Sequence, residues 1–185
     1  QQEILEITGI HSVAGALQDD LIVHPPFRSP HHTSSYVSMI GGGTFPRPGE
    51  VTLAHKGVLF LDEFPEFEKR VIESLRQPLE DRIVTVSRAK ATIAFPSHFI
   101  LVCAMNPCPC GYNGSEKKQC ICTASDLSRY SRKVSGPIMD RIDMWTTVGA
   151  LEYETLSESG PSGDSSRQVK ERIKKARDIQ KKRYK

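Results

Sequence analysis

An α/β fold built on a parallel sheet is what these 185 residues predict. Two apolar runs carry that reading: Gly57-Val58-Leu59-Phe60-Leu61 and Phe99-Ile100-Leu101-Val102-Cys103-Ala104-Met105. Both are short, continuous and rich in large side chains, as strands are when helices bury them on both faces. Each run stops abruptly at polar residues, Asp62-Glu63 after the first and Asn106 after the second. Stretches with helical spacing surround them, and strands alternating with helices make open α/β sheets. Ligands of such sheets bind beyond the carboxyl ends of the strands, where Asp62, Glu63 and Asn106 fall.

In chain order, residues 2–17 carry an imperfect helical stripe of Ile4, Leu5, Ile7, Ile10, Val13 and Leu17, weakened by Gly9 and Gly15. The apolar run Leu21-Ile22-Val23 precedes Pro25-Pro26-Phe27-Arg28-Ser29-Pro30-His31-His32, where the prolines leave room only for a short strand near a sheet edge. Adjacent histidines in a strand point to opposite faces, so His31 and His32 are expected to make ordinary polar contacts rather than share a metal. Residues 34–54 hold Gly41-Gly42-Gly43-Thr44 and Pro46-Arg47-Pro48-Gly49, which read as an irregular hairpin with glycine and proline turns. The glycine triplet is not a phosphate loop, because GxxxxGK[ST] requires a lysine on the β/γ-phosphates and that pattern occurs nowhere in these residues.

After the first apolar run, Phe67, Val71 and Leu75 recur every fourth residue, predicting a helix over 66–77 that ends at Pro78. Ile83–Val86 and Ala91–Phe95 flank Ser87-Arg88-Ala89-Lys90, a β-hairpin with a basic tip. Beyond Asn106 come a cysteine-bearing loop, a helix over 125–133, a short helical piece within 135–143, and a last strand over 144–148. Residues 157–166 are a linker by composition. A basic helix follows from Gln168, with Val169, Ile173, Ala176 and Ile179 on a narrow stripe.

With 25% charged and 38% hydrophobic residues, the composition is that of a soluble globular chain. No apolar run approaches bilayer length and no signal peptide opens the chain, so no membrane partner and a cytoplasmic location are expected. The opening Gln1-Gln2-Glu3, without methionine, predicts a segment of a longer protein. The net charge of +3 conceals an asymmetry: residues 167–185 hold ten Lys/Arg against two acids, and the remainder 15 basic against 20 acidic residues. A solvated basic helix on a mildly acidic body accounts for this better than a nucleic-acid-binding tail.

Candidate chemistry centres on Asp62 and Glu63. A carboxylate at that position can hold magnesium and its neighbour can polarise a water, the Walker B arrangement of a nucleotide hydrolase. The plain alternative is a core strand meeting a polar turn. If the two apolar strands are neighbours, Asn106 sits beside the carboxylates and can orient the attacking water. Arg141, in Asp140-Arg141-Ile142-Asp143, could act as a transition-state cation on the next subunit of a ring. Spacing alone favours an ion pair with Asp140 or Asp143. Four of the five cysteines form Cys108-x-Cys110 and Cys120-x-Cys122, while Cys103 lies in an apolar run as a small core residue. Paired CxC units without a secretory signal point to a reducing compartment and a metal. Four thiolates can close a tetrahedral zinc site, although CxC is tighter than the usual CxxC, and unliganded thiols are the alternative.

The stretches PFRSPHH, GGGTFPRPGEVTLAHKGVLFLDEFPEF, AMNPCPCGYNG and SGPIMDRID, taken in this order, resemble the magnesium-chelatase-like AAA+ ATPases, and within them the bacterial ComM/YifB competence-type branch. The match covers nearly the whole chain. It implies Asp62 and Glu63 as Walker B, Asn106 as sensor 1 and Arg141 as arginine finger. It also implies residues 34–54 as the helix-2 insert and 82–95 as the pre-sensor-1 hairpin. Such hairpins usually face the pore of a ring, where Arg82, Arg88 and Lys90 could meet nucleic acid. The implied fold is a partial AAA+ (P-loop NTPase) core, a three-layer sandwich with β-hairpin inserts. Residues 1–156 would be this core, 157–166 a linker and 167–185 the start of a C-terminal helical lid. The chain departs from the family pattern in lacking the Walker A loop, the central strand that feeds it, and the sensor 2 arginine.

The implied function is that of the middle portion of a ring-forming ATPase, a hexamer by resemblance, using ATP and magnesium to remodel or translocate DNA. This segment alone is expected to be inactive. Two alternatives stand beside it: the ATPase subunit of a tetrapyrrole magnesium chelatase, and a zinc-stapled nucleic-acid-binding module without catalysis.

Overall fold

The computed structural model describes residues 1–43, 46–88, 91–149 and 163–184, with the side chains of Arg88 and Ala91 outside the description. The chain divides into two units, Gln1–Trp145 and Thr146–Lys185. Three parallel strands lie at the centre of the first unit: β1 (Phe27–Arg28), β4 (Val58–Leu61) and β7 (Ile100–Cys103), in the order β1-β4-β7. Phe27 pairs with Val58, Val58 with Ile100 and Leu61 with Cys103. The two apolar runs are therefore neighbours, which meets the condition for bringing Asn106 near the carboxylates, and the proline-bounded strand lies at one edge, as expected.

The sheet is covered on one face. Leu59 and Leu61 are fully buried, packed among Met39, Phe64, Val71 and Ile138. The opposite face carries Phe27 at 65%, Ile100 at 60% and Val102 at 41% exposure. Phe27 stacks on Phe60 there, ring centroids 6.1 Å apart. The expectation of strands buried on both faces is thus corrected: among the described residues the first unit has two layers, not three. A run in which every residue is apolar hides its alternation, so the sequence could not reveal which face was open.

The covering layer uses short helices. Helix α1 (Gln2–Ala14) stops earlier than residue 17 because Gly15 adopts a left-handed conformation, φ 70°, and caps it. Only Ile7 and His11 of α1 are buried, while Leu5 and Val13 are exposed. Over 34–54 the expected hairpin is present as β2 (Gly41–Gly42) paired with β3 (Arg47–Pro48), bracketed by α2 (Tyr36–Ile40) and α3 (Glu50–Leu53). Arg28 on β1 forms two charge-assisted hydrogen bonds with Glu50 of α3, at 2.6 and 2.7 Å.

After β4 a 3₁₀ turn (Phe64–Glu66) leads into α4 (Lys69–Ser74) and α5 (Arg76–Asp81). Phe67, Val71 and Leu75 are buried as their spacing predicts. The stop at Pro78 is corrected, since helix continues to Asp81. Pro78 occupies the first turn of α5, where a backbone N–H has no helical partner to lose. The hairpin is β5 (Ile83–Arg88) against β6 (Ala91–Pro96), antiparallel. Its tip residue Lys90 lies outside the described residues.

α6 (Ala124–Ser131) begins with a reciprocal capping box between Thr123 and Asp126. α7 is Gly136–Met139. The strand expected over 144–148 does not form. Those residues are irregular, with Met144 at 87% and Val148 at 87% exposure, and no strand among the described residues pairs with them. In the second unit, α8 (Ser166–Arg183) starts at a Ser165–Gln168 capping box, and none of its residues is buried. It is a solvated basic helix, as its charge suggested. The linker assigned to 157–166 falls mostly on residues outside the description. No helix among the described residues is long and apolar enough to cross a membrane.

Two histidines in the segments that enter β4 and β7, His55 and His98, make stability pH-dependent. His55, at 5% exposure, accepts the His98 backbone N–H on Nδ1 at 3.1 Å and faces Glu6 through Nε2 at 3.4 Å. Burial holds the His55 pKa below its usual value, and burial lowers His98 as well. The unfolded chain then takes up these protons first. The stabilising contribution is complete above the unfolded pKa of about 6.5 and is lost as pH falls through it. The thermal midpoint should therefore drop between about pH 8 and about pH 5.5, and His55→Gln should flatten that slope. A midpoint that rises on acidification over this window would contradict the arrangement.

Candidate functional site at the carboxyl edge of the sheet

β4 delivers Asp62 and Glu63 to solvent directly after the fully buried Leu61. Asp62 Oδ1 accepts the Glu63 backbone N–H at 2.8 Å, which leaves its second oxygen free of that contact. Glu63 adopts the left-handed conformation, φ 52° and ψ 42°. An L-residue there costs about 1–2 kcal/mol. What imposes it is the next residue: Phe64 is 1% exposed, and its N–H donates to the Ala104 carbonyl at 3.0 Å. Ala104 in turn donates to the Leu61 carbonyl at 3.0 Å. This ladder closes the ends of β4 and β7 against each other, bringing the segment that leads into Asn106 beside the two carboxylates. The Asn106 carbonyl accepts the Tyr130 hydroxyl of α6 at 3.0 Å. Burial raises the pKa of that phenol, which keeps it a donor.

His32 is the contact that the sequence reading missed. Its Nδ1 lies 2.8 Å from Glu63 Oε2. The His31 and His32 rings are 4.2 Å apart, and His32 meets the edge of Phe67 at 6.5 Å. The two histidines sit in a turn rather than a strand, so the opposite-faces argument does not apply to them. The signal was present in the Ser29-Pro30-His31-His32 run, where proline ends the strand before the histidines begin.

Arg141 follows α7 and is paired within its own chain. Its guanidinium binds Glu80 of α5 and donates to the Pro137 carbonyl, while its buried Nε has no partner among the described residues. This replaces the pair with Asp140 or Asp143 that spacing favoured, because the folded chain brings Glu80 to Arg141. Arg82, exposed and left-handed at φ 58°, caps α5 before the hairpin. Arg88 ends β5.

The second cluster follows Asn106. The sulfurs of Cys108, Cys110, Cys120 and Cys122 all lie within 4.8 Å of one another. All five cysteines are free thiols. The backbone N–H of Ile121, followed by that of Tyr112, holds the Cys110 thiol down to about 6. Cys103 stands apart against the core, and burial pushes its thiol up to about 12.

A short parallel sheet with paired acids at its carboxyl edge, a hairpin before the next strand and a polar residue after it makes this a mixed α/β protein, an arrangement consistent with a P-loop-like fragment. The chain belongs to the magnesium chelatase ChlI family, whose model, described as "Magnesium chelatase, subunit ChlI", matches residues 1–156. The competence protein ComM of Haemophilus influenzae is 45% identical over 181 residues, 95% of this chain and 35% of its own length. An uncharacterized protein of Mycobacterium tuberculosis is 43% identical over 185 residues, 98% of this chain and 36% of its own. The uncharacterized protein YifB of Escherichia coli is 46% identical over 159 residues, 85% of this chain and 31% of its own. The chain thus spans about a third of the length of the curated relatives it matches.

Proposed function

We propose that this chain is the hydrolytic middle of a ring-forming cytoplasmic AAA+ ATPase that uses ATP to remodel or translocate DNA. The observation that supports this most is the closure of β4 on β7, with Asp62 and Glu63 at one strand end and Asn106 beyond the other. The residues fit a magnesium-nucleotide: Asp62 offers a hard carboxylate oxygen not used by the Glu63 N–H, and magnesium takes one or two carboxylates with phosphates completing its shell. A magnesium ion held there would supply charge neutralisation to the nucleotide phosphates. Glu63 accepts a proton from the attacking water, and Asn106 orients that water. His32 holds one Glu63 oxygen, so it fixes the direction of the carboxylate and acts as a positioning residue. Arg141, released from Glu80, serves the neighbouring subunit's nucleotide. Arg82, Arg88 and Lys90 supply positive charge for contact with DNA.

The phosphate cradle is not among these residues, so this segment by itself is inactive in this reading. The family's description favours a second reading, coupling of the same ATPase to magnesium insertion into a tetrapyrrole. The name of the Haemophilus influenzae relative favours DNA. One assay tests both. The whole protein should hydrolyse ATP only with magnesium, and DNA should raise its turnover. Turnover indifferent to DNA but raised by a porphyrin-binding partner subunit would favour the second reading, and no magnesium-dependent turnover would remove both.

A further inference from the structure

Residues 104–123 contain neither helix nor strand, and between 106 and 122 only Cys108 is buried. Ile121, the one large aliphatic side chain of that stretch, is 84% exposed. A loop of this length inside a compact domain needs something to order it, and no apolar core is present to do so. Its interior consists of four sulfurs.

We infer that Cys108, Cys110, Cys120 and Cys122 bind a single zinc ion that orders this loop. A tetrahedral site with zinc–sulfur bonds of about 2.3 Å has sulfurs about 3.8 Å apart. The Cys108–Cys110, Cys108–Cys120 and Cys110–Cys120 separations are 3.4, 3.8 and 3.6 Å. The surrounding backbone is arranged as a thiolate cluster requires. The Asn113 N–H points at Cys108 Sγ from 3.3 Å. Such a donor orients metal-bound sulfur and offsets its charge. Gly111, at φ 81°, and Gly114, at φ 80°, make the turns that return the backbone towards the sulfurs.

Four soft thiolates select zinc over magnesium or calcium, and with no position left open the ion is structural. Its placement gives it a task. Cys108 lies two residues after Asn106, and Cys122 directly precedes Thr123, the cap of α6, whose Tyr130 holds the Asn106 carbonyl. The ion therefore cross-links both ends of the connection from β7 to α6. This inference stands whether or not the chain serves an ATPase.

The test compares the whole protein, purified without chelator, with its Cys120→Ser/Cys122→Ser variant, which spares the buried Cys108. Elemental analysis should find one more zinc per chain in the unaltered protein than in the variant. Cobalt loading of the unaltered protein should give the strong visible absorption of tetrahedral thiolate coordination. Its thiols should become reactive when a chelator is added. Equal zinc in the two proteins would overturn the assignment, as would cobalt bound without that absorption or iron in place of zinc. The last two measurements use only the unaltered protein, so a variant that fails to fold does not shelter the inference.

Discussion

Glu63→Gln in the whole protein should abolish ATP hydrolysis while nucleotide still binds. An amide cannot take a proton from water, and loss of a general base lowers turnover by about a hundredfold or more. The substitution is otherwise gentle. The side chain keeps its length, and the left-handed backbone at φ 52° is imposed by the buried Phe64, so it does not depend on the carboxylate. Steady-state turnover and equilibrium binding of a fluorescent nucleotide, measured on the same preparation, separate chemistry from binding. Near-normal turnover would remove Glu63 from the mechanism. His32→Ala is a milder probe of the same group, because it frees the Glu63 oxygen without removing the base.

Gly57→Ala should unfold the sheet from its middle. A Cβ on Gly57 would lie 1.9 Å from the Pro26 carbonyl oxygen and 2.8 Å from its carbon. These are backbone atoms and cannot swing aside. The same oxygen accepts the Val58 N–H at 2.9 Å, and the Gly57 carbonyl accepts the Ile100 N–H at 3.0 Å, so any retreat breaks the entry to all three strands. Overpacking of this kind costs about 3 kcal/mol or more. That corresponds to a midpoint lowered by about 6–12 °C for a chain of this size. Differential scanning fluorimetry reads it directly, and an unchanged midpoint would mean that β1 does not approach β4 as described.

Gly57 also illustrates which parts of this fold the sequence makes legible. Strand identity was readable because two apolar runs end at polar residues, whereas their adjacency was left open until β4 was seen to pair with β7. The hairpin over 82–95 and the helix positions Phe67, Val71 and Leu75 were readable because their periodicities are local. What stayed hidden depends on partners distant in the chain. A glycine before a strand says nothing of the carbonyl from Pro26 that presses on it. Arg141 gives no hint of Glu80, nor Glu63 of His32. Val58-Leu59-Phe60-Leu61 reads alike whether one face or both are covered. Met144–Val148 has the composition of a strand, but a strand needs an edge to pair with. The cysteine spacing suggested a metal, yet only the folded loop shows the four sulfurs gathered.

The strand register has a consequence for how the site comes into being. β1 pairs with residues thirty-one positions later, and β4 with residues forty-two positions later, whereas the β5–β6 hairpin closes over its own two-residue tip. Loop closure of that span must precede any reward from the contacts, so the hairpin and short helices form early and the sheet forms late. On a chain growing from its amino end, β4 has only the two residues of β1 beside it until residue 103 has emerged. The carboxylates of Asp62 and Glu63 thus exist for some forty residues of synthesis before the backbone that sets their geometry arrives. The backbone geometry around Asp62 and Glu63 is thus a late product of folding.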